Sequence, residues 1–153
     1  MEVKDIVKPA VVISESASFR EAVSLMVKEQ SNSLLVTGDE GRLVGEIHMS
    51  DILDAIVPAY LDGDSIAEHF ATDEMFEAAV REAEDTPVEM FMSTDISPVT
   101  MNDGLMTIAS VAIAQRKAHI PVIDKDERPI GIISRRGVKH IIAHSLGIKD
   151  SYQ

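Results

Sequence analysis

Few side chains in this sequence stand where they can bind or react, and the best placed gather at two helix starts. Ser50-Asp51 and Ser134-Arg135-Arg136 each follow a run rich in apolar residues. A carboxylate in the first turn of a helix can cap that helix, or it can accept the hydroxyl groups of a ribose. A serine hydroxyl beside free helix N–H groups can hold phosphate oxygens, aided by the helix dipole. Arg135 and Arg136 suit either a phosphate or a plain solvated first turn. His140 and His144 stand at i and i+4, a spacing compatible with a metal. No third ligand or HExxH-like base accompanies them, so a solvated helix face accounts for the pair. His48 reads as a structural residue at a strand end. There is no cysteine, no Gly-rich phosphate loop and no Gly-x-Ser-x-Gly elbow. Nothing links an acid, a base and a nucleophile. An enzyme, a metal centre or a resident cofactor is not expected.

The elements that position these residues come from an internal repeat. Residues 13–56 lie over 99–142 at a constant offset of 86, without gaps. Identities are few: Ser24/Ser110, Val36/Val122, Arg42/Arg128, Gly45/Gly131, Ile47/Ile133 and Ile56/Ile142. The pattern of residue types carries more weight. A short apolar strand (Val11–Ile13, or Val99) leads to an amphipathic helix, Phe19–Lys28 or Leu105–Arg116. Ser18 with Glu21 forms a capping box for the first; Asn102-Asp103-Gly104 precedes the second. A buried-type strand follows, Leu34–Val36 or Ile120–Ile123, then a polar turn and a third strand, Leu43–Ile47 or Ile130–Ile133. Closing helices run over Ser50–Val57, stopped by Pro58, and over Arg136–His144. Between the copies, Thr72 or Asp73 caps a helix to about Ala83, with Met75, Phe76, Ala79 and Val80 as its apolar side.

The 153 residues are 45% hydrophobic and 26% charged, enough to bury a core without metal or disulfide. No apolar run approaches the ~20 residues of a membrane span, and the first residues lack a signal-peptide core. A cytoplasmic protein is therefore expected. The net charge of −12 argues against nucleic-acid binding. Ten acids and one base lie in residues 62–89, which hold −9 of that charge. This stretch reads as a solvated insert. Residues 116–149 run positive, so an anionic ligand belongs near that end. Met90, Met92, Met101 and Met106 suit core or dimer packing.

Two β-α-β-β-α units, each ending near Gly-hydrophobic-hydrophobic-(Ser/Thr)-x-x-Asp, resemble a tandem pair of CBS domains, a Bateman module. The residues that carry the likeness are Ile120-Pro121-Val122-Ile123-Asp124 and Arg128-Pro129-Ile130-Gly131-Ile132-Ile133-Ser134. In the first copy they are Gly41-Arg42-Leu43-Val44-Gly45-Glu46-Ile47, then Ser50-Asp51-Ile52-Leu53. The resemblance implies an α/β (α+β) fold of two repeats, 1–58 and 88–145, packed with pseudo-twofold symmetry. A helical acidic insert (59–87) lies between them and a tail (146–153) follows. It also implies two clefts that bind adenosine ligands, and association as a homodimer.

Each copy departs from the family pattern. The first keeps Asp51 but has His48 where Ser or Thr is expected, and Glu46 in place of an aliphatic residue. The second keeps Ser134 but has Gly137 in place of Asp. Carried over residue by residue, one cleft holds Asp51 with Ile47 and His48. Ser97, Lys117, Ala118 and His119 complete it, with Met92 and Ser93 at its edge. The other holds Ser134, with Val11, Ser31 and Asn32, Ile132 against the base, and Arg135 and Arg136 near a phosphate. The Asp51 cleft is preferred, because it keeps the ribose-reading carboxylate and has Lys117 and His119 as phosphate partners. The implied function is a regulatory module that senses AMP, ADP or ATP, with S-adenosylmethionine as a further candidate, and signals to a separate protein partner. The alternative is a degenerate pair that serves as a protein-interaction or dimerisation module without nucleotide.

Overall fold

The computed structural model describes residues 1–57, 72–116 and 118–152. Pro58 as a helix stop, Lys117 as a phosphate partner and the insert from 59 to 71 concern residues outside these. The chain divides into two compact units. One holds Val11–Gly38 and Val44–Thr94; the other holds Met1–Ala10, Asp39–Leu43 and Asp95–Gln153.

The first unit is built on a three-stranded sheet in the order β2-β3-β4, comprising Val12–Ser14, Ser33–Thr37 and Leu43–His48. The β2 and β3 strands run parallel, with Val12 opposite Leu35 and Ile13 opposite Val36. A parallel pair needs a crossover, supplied by helix α1 (Phe19–Glu29). Ser18 Oγ accepts the Glu21 N–H at 3.1 Å and starts the helix. Gln30, with φ of 52°, ends it in the left-handed region. Phe19, Ala22 and Met26 recur on one face and are buried. They pack with Ile13, Leu34, Val36, Ile47 and, from helix α2 (Met49–Ile56), Ile52 and Ile56. Helix α3 (Asp73–Ala83) is capped by Thr72, whose Oγ1 accepts the Met75 N–H at 3.2 Å. Only its C-terminal end reaches the core, through Val80 and Ala83. Met75 and Phe76, expected on its apolar side, are more than half exposed.

The second unit has a four-stranded sheet in the order β1-β7-β6-β5, comprising Val7–Lys8, Pro129–Ser134, His119–Ile123 and Val99–Thr100. Helices α4 (Leu105–Gln115) and α5 (Arg135–Ser145) belong with it. Its core gathers Val3, Ile6, Val99, Ile108, Ile120, Val122 and Ile133. Helix α4 starts at Gly104 without a side-chain cap. The Asp103 carboxylate instead accepts the Thr100 N–H at 2.7 Å and tightens the turn before it.

A sequence repeat and a compact unit are therefore different things here, because leading segments change places. Strand β1 comes from the start of the first repeat. It pairs antiparallel with β7 of the second, Val7 opposite Ile133 and Lys8 opposite Ile132. In the other unit, Ser93, near the start of the second repeat, exchanges hydrogen bonds with Glu46 of β4 at 2.9 and 2.8 Å. Each crossing passes over a glycine of the repeated pair. A Cβ on Gly131 would strike Val7 Cγ1 and lie 2.6 Å from the Lys8 carbonyl oxygen. One on Gly45 would lie 2.8 Å from both Met92 Sδ and the Ser93 carbonyl oxygen. The identity Gly45/Gly131 thus has a steric cause. The equivalent polar turns meet too: Arg128 Nε donates to the Glu40 carbonyl at 2.8 Å, and the Leu43 N–H donates to Glu127 at 2.9 Å.

Candidate functional site

Strand β4 and helix α2 place the first cluster. Successive residues of a strand point to opposite faces, so Ile47 goes one way while Glu46 and His48 go the other. The Ile47 side chain is fully buried in the helix-side core. Glu46 is 2% exposed, the one charged residue buried among those described. Its Oε1 lies 3.3 Å from His48 Nε2. A buried carboxylate is costly unless paired, and the imidazole two residues along the strand supplies a partner. The strand ends at His48, and α2 begins at once. The His48 N–H donates to Asp51 Oδ2 at 2.8 Å, so Asp51 reaches back to satisfy the helix entry. The capping role weighed for Asp51 is thus present. It uses one carboxylate oxygen of two.

Around α1 and α2, Ser31 and Asn32 line a groove of about 410 Å³ with Val23, Met26, Val27 and Met49. Ser31 Oγ donates to the Ser33 carbonyl at 2.7 Å and fixes the bend into β3; Asn32 is exposed. Val11 is half-buried against the core, and its carbonyl accepts the Leu35 N–H at 2.9 Å.

The second cluster forms where β7 runs into α5. Ser134 is the N-cap, its Oγ accepting the Gly137 N–H at 3.2 Å. His119 stands directly opposite Ser134 across the β6–β7 ladder, so these two share one face. The resemblance places them in different clefts. Ile132 is half-buried, on the face opposite Ile133. Arg135 donates from Nη2 to the Arg116 carbonyl at 3.0 Å, closing the end of α4; Arg136 is exposed. Ser97 Oγ accepts from Gln115 Nε2 at 2.8 Å, and Ala118 is exposed at the mouth of β6.

Sequence reasoning missed what covers Gly137. A Cβ there would lie 3.0 Å from Tyr152 Oη and 3.1 Å from Ile6 Cβ. Tyr152 stacks on His140, with ring centroids 5.0 Å apart, and His140 Nδ1 lies 3.2 Å from Asp150. His140 is thus half-buried against the tail rather than on a fully solvated helix face. Among the described residues no group of three or more His, Asp or Glu is placed to hold one. No described helix is long and apolar enough to cross a membrane.

The family model for the CBS domain matches twice, over residues 3–58 and 87–144. The Arabidopsis thaliana CBS-pair protein CBSX2, solved in complex with AMP, is 22% identical, with a TM-score of 0.67 over 95% of this chain and 98% of that one. A CBS domain pair in complex with 5′-methylthioadenosine and S-adenosyl-L-methionine is 20% identical, with a TM-score of 0.65 over 93% and 99%. At these identities the likeness is one of fold. A homoserine O-acetyltransferase from Methanosphaerula palustris is 26% identical over 141 residues; the match covers 92% of this chain but 24% of that enzyme. Pairs of this kind are in general regulatory rather than catalytic. Two family matches that span most of the chain, on two sheets with their closing helices, settle the family: this chain belongs to the CBS domain proteins and carries two CBS domains in tandem.

Proposed function

We propose that this chain is a cytoplasmic ligand-sensing module that binds an adenine nucleotide of the AMP, ADP or ATP class at the Asp51 turn. Occupancy passes to a separate protein partner through a change in conformation or in homodimer geometry. The observation that carries the reading is the Asp51 carboxylate. Oδ2 is held by the His48 N–H, and among the described residues no second hydrogen bond holds the group. An oriented carboxylate with one oxygen to spare suits a ribose diol. The relatives solved with AMP and with S-adenosyl-L-methionine support an adenosine ligand. S-adenosylmethionine remains the second candidate. A ligand moves the module only by binding its two states differently. No acetyl transfer is proposed.

Calorimetric titration with AMP tests this on the wild-type chain and on Asp51→Ala. The substitution is expected to weaken binding by at least about tenfold, since a hydrogen bond to a charged group contributes ~1.5–3 kcal/mol. Unchanged affinity would remove Asp51 from the site.

A second reading, a dimerisation module without ligand, has its own observation. Val27, Met49 and Leu53 are exposed on α1 and α2; Met106, Ile113, Ile142 and Leu146 are exposed on or next to α4 and α5. Apolar helix faces of this kind support a homodimer. They are compatible with a ligand site, so the two readings part only on whether nucleotide binds.

A further inference from the structure

The two repeats treat the third residue of the closing helix in opposite ways. In the first it is Asp51, turned back to the His48 N–H. In the second it is Gly137, buried, with the tail and the N-terminal segment closed over it. Tyr152 Oη and Ile6 Cβ lie within 3.1 Å of where a side chain would begin. An aspartate there would displace the Tyr152 hydroxyl and need a shift of only a few tenths of an ångström at Ile6.

The tail is held at several points, all within one compact unit. The Ile148 N–H donates to the Ala143 carbonyl at 2.8 Å and turns the chain back at the end of α5. Asp150 Oδ2 meets His140 Nδ1 at 3.2 Å. The Tyr152 ring lies on His140 with an interplanar angle of 23°, and the Lys8 ammonium lies 4.4 Å from its centroid on strand β1. The Tyr152 hydroxyl donates to the Ile6 carbonyl at 3.3 Å. His140 is one turn beyond Gly137, so ring and hydroxyl follow one helix face. The ring thus lies between an imidazole and an ammonium, with its hydroxyl 3.0 Å from where a side chain at 137 would begin.

We infer that residues 148–152 form an autoinhibitory strap. Tyr152 occupies in the second repeat the position at which the first presents Asp51, which closes that repeat to nucleosides and ties β1 to α5. The part that concerns nucleosides rests on the ligand reading of Asp51; the strap itself does not.

Two measurements on the full chain test it, with adenosine as the probe. In Tyr152→Ala, backbone amides of residues 6–8 and 134–140 are expected to exchange hydrogen at least about tenfold faster, while those of 33–52 keep their wild-type rates and report an intact fold. In Gly137→Asp/Tyr152→Ala, which restores the carboxylate and removes the ring, calorimetry is expected to find one more equivalent of adenosine than wild type binds. Tyr152→Phe keeps the stack and should exchange closer to wild type than Tyr152→Ala. Unchanged exchange in Tyr152→Ala would overturn the strap. Faster exchange with no added adenosine in the double variant would overturn its inhibitory role. Failure of the Asp51 reading shows separately, as absence of adenosine binding to the wild-type chain.

Discussion

Replacing Gly131 by alanine tests the exchange of leading segments at its tightest point. The added Cβ would strike Val7 Cγ1 and sit 2.6 Å from the Lys8 carbonyl oxygen. Val7 can turn its side chain aside, but the carbonyl is backbone and belongs to the β1–β7 ladder. Strand β1 must lift, loosening the pairings Val7/Ile133 and Lys8/Ile132. In an open strand the same substitution would gain about 0.5–1 kcal/mol, from the lower entropy of the unfolded chain. Here overpacking costs ~1–3 kcal/mol, and each ladder hydrogen bond lost costs ~1 kcal/mol more. The net expectation is a loss of about 1–3 kcal/mol. At roughly 2–4 °C per kcal/mol for a chain near this size, Tm should fall by about 2–12 °C. Thermal unfolding followed by circular dichroism reads this directly, with hydrogen exchange at residues 7 and 8 as the local probe. Gly45→Ala, under Met92 and Ser93, should shift Tm in the same direction. Gly104→Ser, with nothing within 4 Å of a Cβ, should stay within ~0.5 kcal/mol of wild type. A Gly131→Ala protein as stable as wild type, with unchanged exchange at those two amides, would refute the steric argument.

Three further outcomes are expected. Asp51→Ala should lower Tm by only a few degrees, because the lost hydrogen bond to the His48 N–H contributes about 1 kcal/mol, so its larger effect on AMP affinity would be specific to the ligand. Glu46→Ala removes the carboxylate beside His48 Nε2 from a buried position and should cost about 1–3 kcal/mol in urea unfolding, well above a surface substitution. Met106→Asp and Val27→Asp, at positions 81% and 72% exposed, should leave Tm nearly unchanged yet shift light scattering from dimer toward monomer. A wild-type protein that is already monomeric would end the homodimer proposal.

The regular elements were legible because their signals are local. Ser18 and Thr72 are N-caps, as side-chain chemistry suggests, and apart from β1 the described strands and α-helices fall within about two residues of their expected bounds. Gly45 and Gly131 were visible as identities, but their reason was not, since it lies in a segment far along the chain that crosses above each. A two-residue strand such as β1 has no period to detect. Asn102-Asp103-Gly104 marked the start of the second helix, but not that the Asp103 carboxylate accepts the Thr100 N–H in the turn before it. Glu46 and His48 were visible as departures from the family pattern, and alternation along a strand places them on one face, with Glu46 Oε1 3.3 Å from His48 Nε2. Tyr152 carried no signal, because stacking on His140 is set by how the tail folds back; the missing Asp at position 137 was its only trace.

The central claim is that an adenine nucleotide binds this module, and thermal unfolding with and without ligand tests it most directly. AMP, ADP, ATP and S-adenosylmethionine would each be added, with and without magnesium, at about 100 times an expected Kd. Binding at that ratio stabilises the folded state by about 2.7 kcal/mol, which should raise Tm by roughly 5–10 °C. The account predicts such a rise with at least one of these ligands and its loss in Asp51→Ala. An unchanged Tm with all four would contradict it and leave the dimerisation module in its place.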